Sequence, residues 1–238
     1  MSHFKFYSAK ASDNLLDKVK VYEIKILAHV AQGKPLAAVS IAIYALRLLG
    51  VNLPHRASKF KILLAAIATK FSLCHKHIEA IINLPPMSNP HTLAAMKIMG
   101  IAGSPTYNAA PQFAPLLAFA GVNLSLKYGN TAMSAYGYAS YGVMLCGVLG
   151  NIDAGYQFGK LALDLLEKFQ AKELKARTFM VFNNFIRHWK EHVREGLPSL
   201  IEAYQSGLDT GDIEFAAYCG FIYCYHSYFV GKELTALA

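Results

Sequence analysis

Apolar positions along this chain recur every three to four residues rather than every two, a period that predicts helices and no strand. Leu15, Leu16, Val19, Tyr22, Ile26 and Val30 fall on one face of a first helix from Asp13 to Gln32. Gly33-Lys34-Pro35 forms a turn, with proline suited to a helix start, and the second helix runs to Leu49 and stops at Gly50, ahead of Pro54. A third helix spans Ser58 to Ser72, and a short one runs from His77 to Asn83, before Pro85-Pro86. The next has Asn89 as N-cap and extends to about Gly100. The remaining helices are predicted over Pro111 to Tyr128, Asn130 or Thr131 to Gly150, Asp153 to Phe169, Glu173 to Val193, Pro198 to Leu208, and Asp212 to Val230. The connections are short, as antiparallel neighbours require.

A register of small residues overlies this pattern. Gly33, Gly150 and Gly211 each separate two helical runs. Five residues on stand Ala38, Gly155 and Ala216; nine on, Ala42, Gly159 and Gly220; twelve on, Ala45, Ala162 and, less well, Tyr223. A glycine that ends one helix, followed by a small residue on each turn of the next, lets two helix backbones approach closely. The predicted fold is therefore all-α, an α-solenoid of antiparallel helical hairpins in a tetratricopeptide-like superhelix. Residues 1–12 form an N-terminal tail, and residues 13–238 form a single helical-repeat domain.

Composition changes this picture in two places. The chain of 238 residues carries a net charge of +8, and the excess lies entirely in its first third: residues 1–80 hold 12 Lys/Arg and 4 Asp/Glu, the rest 11 of each. Lys18, Lys20, Lys25, Lys59, Lys61, Lys70 and Lys76 are spread along helices, which reads as a solvated face. No base-stacking aromatic pattern accompanies them, so nucleic acid is not an expected partner. From Ile98 to Ile152 the sole charged residue is Lys127. A polytopic membrane protein is the alternative this raises. Pro105, Pro111 and Pro115 interrupt the stretch, and Asn108, Gln112, Asn123, Asn130 and Asn151 scatter amides through it, so no membrane span is predicted. Cys74, Cys146, Cys219 and Cys224 make no C-x-x-C pair and read as buried, reduced thiols. With no secretory leader pattern, the expected location is cytoplasmic.

Several segments, taken together, resemble a known family. They are LRLLGVNLP (46–54), INLPPMSNPHTLAAMKIM (82–99), VNLSLKYGN (122–130), AYGYASYGVML (135–145), GYQFGKLALDLLEKF (155–169) and FNNFIRHWKEH (182–192). They resemble the helical region of very large multidomain signalling kinases. In that family a serine/threonine kinase domain and a STAND-type, AAA-like ATPase precede a tetratricopeptide-like segment, and a GAF sensor and a histidine kinase follow it. The resemblance covers about residues 20–238 and is weakest from Ile101 to Pro115. It implies ATP and Mg for the parent protein, and no cofactor for this segment. The chain has no kinase Gly-rich loop, no H-R-D loop and no G-x-x-x-x-G-K-[ST] loop. The end of the chain fits a fragment: Phe229 to Leu234 opens a further helix that Ala238 cuts short.

Candidate chemistry is sparse. His188 and His192 stand four apart on the predicted Glu173–Val193 helix, beside Glu191, a spacing that zinc can use, but H-W-K-E-H is not H-E-x-x-H and no third ligand is evident. His75, His77 and Glu79 do not converge around a helix start, and Asp209, Asp212 and Glu214 read as turn and helix N-terminal charges. Tyr136, Tyr138, Tyr141, Tyr223, Tyr225 and Tyr228 read as interhelical packing, with a ligand pocket as the alternative. No catalytic or metal residues are assigned. Arg187, Trp189 and Arg194 are the candidate partner-binding residues, being the types enriched at interaction hot spots. The expected function is a non-catalytic protein-interaction and signal-relay module, its partners other proteins or neighbouring domains of the same polypeptide. A second reading assigns it through its parent to an ATP-dependent, two-component protein kinase.

Overall fold

The computed structural model describes residues 15–233 and 235, apart from 55 and 75. The expected tail over residues 1–12, the start at Asp13, His75 and Ala238 lie outside the described residues. Eleven α-helices are present among them: α1 (Leu15–Ala31), α2 (Pro35–Leu48), α3 (Lys59–Leu73), α4 (Ile78–Ile82), α5 (Pro90–Ala109), α6 (Ala114–Tyr128), α7 (Ala132–Gly147), α8 (Ile152–Phe169), α9 (Lys175–Phe185), α10 (Leu197–Thr210) and α11 (Ile213–Phe229). The fold is all-α: among the described residues the only β-type pairing is a single parallel bridge between Pro86 and Asn130. No described helix is long and apolar enough to cross a membrane.

Helix ends follow local chemistry. Pro35 opens α2, the Asn89 carboxamide accepts the amides of His91 and Thr92 at 3.0 Å each, and Thr131 and Ser134 form a capping box on α7. Gly33, Gly150 and Gly211 all adopt the left-handed conformation (φ 67°, 67° and 79°) that lets the chain turn back on itself. Neighbours in sequence pack together: α1 on α2, α6 on α7, α7 on α8, and α10 on both α9 and α11. Longer-range pairing sets α2 against α5, α3 against α6, and α7 against α9.

Three expectations need correction. The predicted Glu173–Val193 helix ends at Phe185, and short 3-10 turns at Arg187–Trp189 and Val193–Gly196 follow. At the break Ile186 leaves helical geometry (φ −121°, ψ −51°) and is fully buried beside Gly142 and Gly159. Tertiary packing thus overrides a sequence that reads as helical. The helix predicted to stop at Gly100 continues as α5 to Ala109 with Pro105 inside it, because Gly100 and Gly103 are packing positions here, facing Met133 and Tyr136. Phe229 ends α11 rather than opening a new helix, and Gly231 turns the chain (φ 76°).

The small-residue register is buried in the first two units: Ala38, Ala42 and Ala45, then Gly155, Gly159 and Ala162. In the third unit Ala216 is buried but Gly220 is only half-buried, and Cys219 takes the buried place. Cys146 is buried too, whereas Cys74 and Cys224 are exposed; all four are free thiols. The α7–α8 contact is the tightest. A Cβ on Gly142 would sit 2.8 Å from the Gly155 carbonyl, and one on Gly155 would sit 2.8 Å from the Gly142 carbonyl and 2.3 Å from Cys146 Sγ. By contrast, Gly121 in α6 and Gly137 in α7 have nothing within 4 Å of a built Cβ.

These two kinds of glycine give opposite expectations. Gly155→Ala should destabilise by about 1–3 kcal/mol, because α7 and α8 must separate to admit the methyl. Gly137→Ala should instead stabilise by up to about 1 kcal/mol through helix propensity alone. Urea denaturation of both variants checks this, and equal effects would refute it.

Candidate functional site

Two surfaces and one chamber stand out. The first surface is built on α3. Its inward face is small or moderate in size: Ile62, Ala65 and Ala66 pack against the two main apolar clusters, and Thr69 accepts a 2.9 Å hydrogen bond from Asn123 Nδ2 on α6. Its large apolar residues point outward. Phe60, Leu63, Leu64, Ile67 and Phe71 are all exposed, Phe60 at 68% and Phe71 at 75%. They recur at helical spacing, so they form one stripe. Lys59, Lys61 and Lys70 are exposed on the same helix. Contiguous exposed apolar stripes of this kind mark contact surfaces in other proteins, which makes α3 a candidate. The sequence reading saw the lysines and missed the stripe. Its period was legible, but period alone does not say which face is covered.

The second surface holds the residues expected to bind partners. Arg187 is spent internally: Nε donates to Glu191 Oε2 at 2.7 Å, and Nη1 donates to Asn183 Oδ1 at 3.1 Å and Ser199 Oγ at 3.4 Å, joining the end of α9 to α10. Tyr156 donates a further hydrogen bond to Glu191. Burial opposes ionisation of Glu191, but the bonds from Tyr156 and Arg187 outweigh it and lower its pKa. The Tyr156 hydroxyl is correspondingly pushed up to about 12, by burial first and then by Glu191. Arg194 Nη2 donates to the Val230 carbonyl at 3.4 Å, at the C-terminal end of α11, where a cation is favoured. Trp189 is 45% exposed, its ring 5.3 Å from that of His188. Of the three candidates, Trp189 and Arg194 are exposed, whereas Arg187 is only half-exposed.

The histidine pair does not share a helix face. His188 lies in the 3-10 turn, and His192 precedes the next turn in extended geometry, its Nδ1 accepting the Arg194 amide at 3.2 Å. Among the described residues no group of three or more His, Cys, Asp or Glu side chains could hold a metal ion. His188 lies near enough to His226 of α11 for their charges to interact. Burial lowers the pKa of His188, and burial followed by the charge of His188 lowers that of His226, whose Nδ1 is buried without a partner. Asp212 pairs with Arg177 at 2.9 Å, and Glu214 accepts a hydrogen bond from Ser104 of α5, so these carboxylates join elements together.

The chamber, of about 320 Å³, lies between α5, α6 and α7 on one side and α9 and α11 on the other. Five of the seven methionines line it: Met96, Met99, Met133, Met144 and Met180. Side chains span its rim. The rings of Tyr107 and Phe185 meet at 5.8 Å, those of Tyr136 and Phe215 at 6.2 Å, and Ser104 reaches Glu214. Arg177 stacks 4.8 Å from the Phe215 ring. Burial first, offset in part by Arg177, pushes the Tyr136 hydroxyl up to about 12. Tyr138 and Tyr141 are packed in the core as expected, whereas Tyr136 and Tyr225 line the chamber. Sequence gave no signal for its shape, since its lining comes from five helices.

Hybrid signal transduction histidine kinase G of Dictyostelium discoideum is similar, at 26% identity over 121 residues. The match covers 50% of this chain and 4% of that protein, so the chain spans a small fraction of its curated relative. No protein family and no solved structure matches the chain.

The geometry separates the roles of the candidates. Arg187→Ala should cost about 1–3 kcal/mol, because it strands Glu191 and Asn183. Trp189→Ala should cost under about 1 kcal/mol, as at other half-exposed sites. Thermal denaturation monitored by circular dichroism compares them, and a larger loss for Trp189→Ala would make that ring a core anchor. The two histidines set a pH dependence. Their folded pKa values lie below the ordinary 6.5, so the unfolded chain takes up protons first as pH falls. Their contribution should be complete above about pH 6.5 and decline below it. His226→Gln should flatten that decline in urea midpoints measured between pH 7.5 and 5.

Proposed function

We propose that the chain is a non-catalytic relay module of a larger signalling protein, a tetratricopeptide-like stack that docks a neighbouring domain or partner protein. The observation that carries this reading is the likeness to a hybrid signal transduction histidine kinase many times longer than the match. The absence of kinase and phosphate-loop motifs from the sequence supports a non-catalytic role for this segment, with ATP and Mg belonging to the parent. A cytoplasmic setting is part of the same proposal.

The division of the apolar cores supports the relay. One apolar cluster centres on α1, α2 and α5, another on α6, α7 and α8, and a smaller one on α10 and α11. Each can move as a packed unit, so displacement of one hairpin shifts the next rather than dissipating. The α3 stripe is the proposed docking surface, with an apolar centre and a cationic rim that favour an acidic amphipathic partner. Trp189 and Arg194 offer a second contact near the other end of the chain.

The test has two parts. An antibody to this chain should detect a native polypeptide far above 26.1 kDa in source lysate. The purified chain should incorporate no phosphate from labelled ATP, and the double variant Leu64→Glu/Ile67→Glu in the native polypeptide should change kinase output with helicity intact. A native band near 26 kDa, or unchanged output, refutes the relay.

A further inference from the structure

The lining of the chamber carries a second conclusion, independent of the relay. Mid-helix glycine costs about 1 kcal/mol relative to alanine. At Gly142, Gly155 and Gly159 close helix packing offsets that cost, since a Cβ there would collide with a neighbouring helix or with an inserted side chain. Gly121 and Gly137 have no such reason: both line the chamber, and a Cβ on either would meet nothing within 4 Å. What these two glycines preserve is empty space.

The size and chemistry of that space narrow its occupant. A volume of about 320 Å³ holds roughly ten water-sized groups at ~30 Å³ each, which lies at the lower end of small-molecule sites. The five methionines give it adaptable, polarisable walls. No Asp, Glu, Lys, Arg or His lines it, and Arg177 behind Tyr136 and Phe215 is already paired with Asp212, so an ionised ligand would find no unpaired counter-charge in the walls. Asn108 and Asn184 are the amides of the lining. The Tyr107–Phe185 and Ser104–Glu214 contacts cross the rim from α5 to α9 and α11, so a partner helix could not lie in the chamber without breaking both.

We propose that this chamber binds a neutral, largely apolar small molecule with one hydrogen-bonding group, about the size of a ten-carbon alcohol. Because its walls come from α5, α6 and α7 on one side and from α9 and α11 on the other, the ligand bridges the two halves of the molecule.

The test titrates the full chain with the neutral fluorophore N-phenyl-1-naphthylamine and displaces it with 1-decanol or with decanoate at pH 7.5. Saturable one-to-one binding is expected, with decanoate at least tenfold weaker than the alcohol. Gly121→Leu/Gly137→Leu, which fills the space, should weaken both dye and alcohol at least tenfold. If that variant loses helicity, Gly121→Ala/Gly137→Ala replaces it and should weaken binding at least threefold. Non-saturable binding, or dye binding that survives the filled chamber because the fluorophore sits on the α3 stripe, overturns the proposal, and decanoate binding as tightly as decanol overturns its neutral character. None of these results bears on native mass or kinase output, so the relay and the ligand site stand or fall separately.

Discussion

The structure depends on the backbone contact between α7 and α8. Gly142 and Gly155 bring the two helices close enough that each carbonyl occupies the place a Cβ on the other would need. Phe182 and Ile186 then insert at Gly159 and Gly142, so the position of α9, and through it of α10 and α11, is set by that seam. The break in the chain after Phe185 has the same origin. Burying Ile186 completely in the seam is worth about 1.5–3 kcal/mol, enough to outweigh continuing a helix through an exposed segment.

A second fixed point is polar. Asn130 is buried at the turn between α6 and α7, where its side chain donates to the Ile81 carbonyl at 2.7 Å and accepts from the Tyr138 hydroxyl at 3.0 Å. Its backbone pairs with Pro85 and Met87, and the Gly129 Cα faces the Pro85 carbonyl so closely that only glycine fits. Two segments distant in sequence, LPPM (84–87) and YGN (128–130), are therefore one structural unit. Every polar group of Asn130 is satisfied, so its burial specifies this junction.

Between these fixed points lie the features with functional weight. On α3 most of the large apolar residues face outward: Ile62, Ala65, Ala66 and Thr69 face the core while both phenylalanines and Leu63, Leu64 and Ile67 are exposed. The chamber is the complementary case, a space beside Gly121 and Gly137 lined by five methionines. The first is the docking surface proposed above and the second the proposed small-molecule site, the one exposed along the helix and the other spanned at its rim by side-chain contacts.

Much was legible in the sequence alone. Helical period, the caps at Pro35 and Asn89, and the turns at Gly33, Gly150 and Gly211 are local properties, set by backbone sterics and by hydrogen bonds a few residues apart. The small residues on the second helix of each hairpin signalled close packing for the same reason. What the sequence could not contain was which partner each face meets. The α3 stripe has the same spacing whether covered or bare. Arg187 reads as a hot-spot residue until Glu191, Asn183 and Ser199 surround it, and Gly137 and Gly155 are the same letter with opposite surroundings. Those distinctions are relations between elements tens of residues apart, and only tertiary packing decides them.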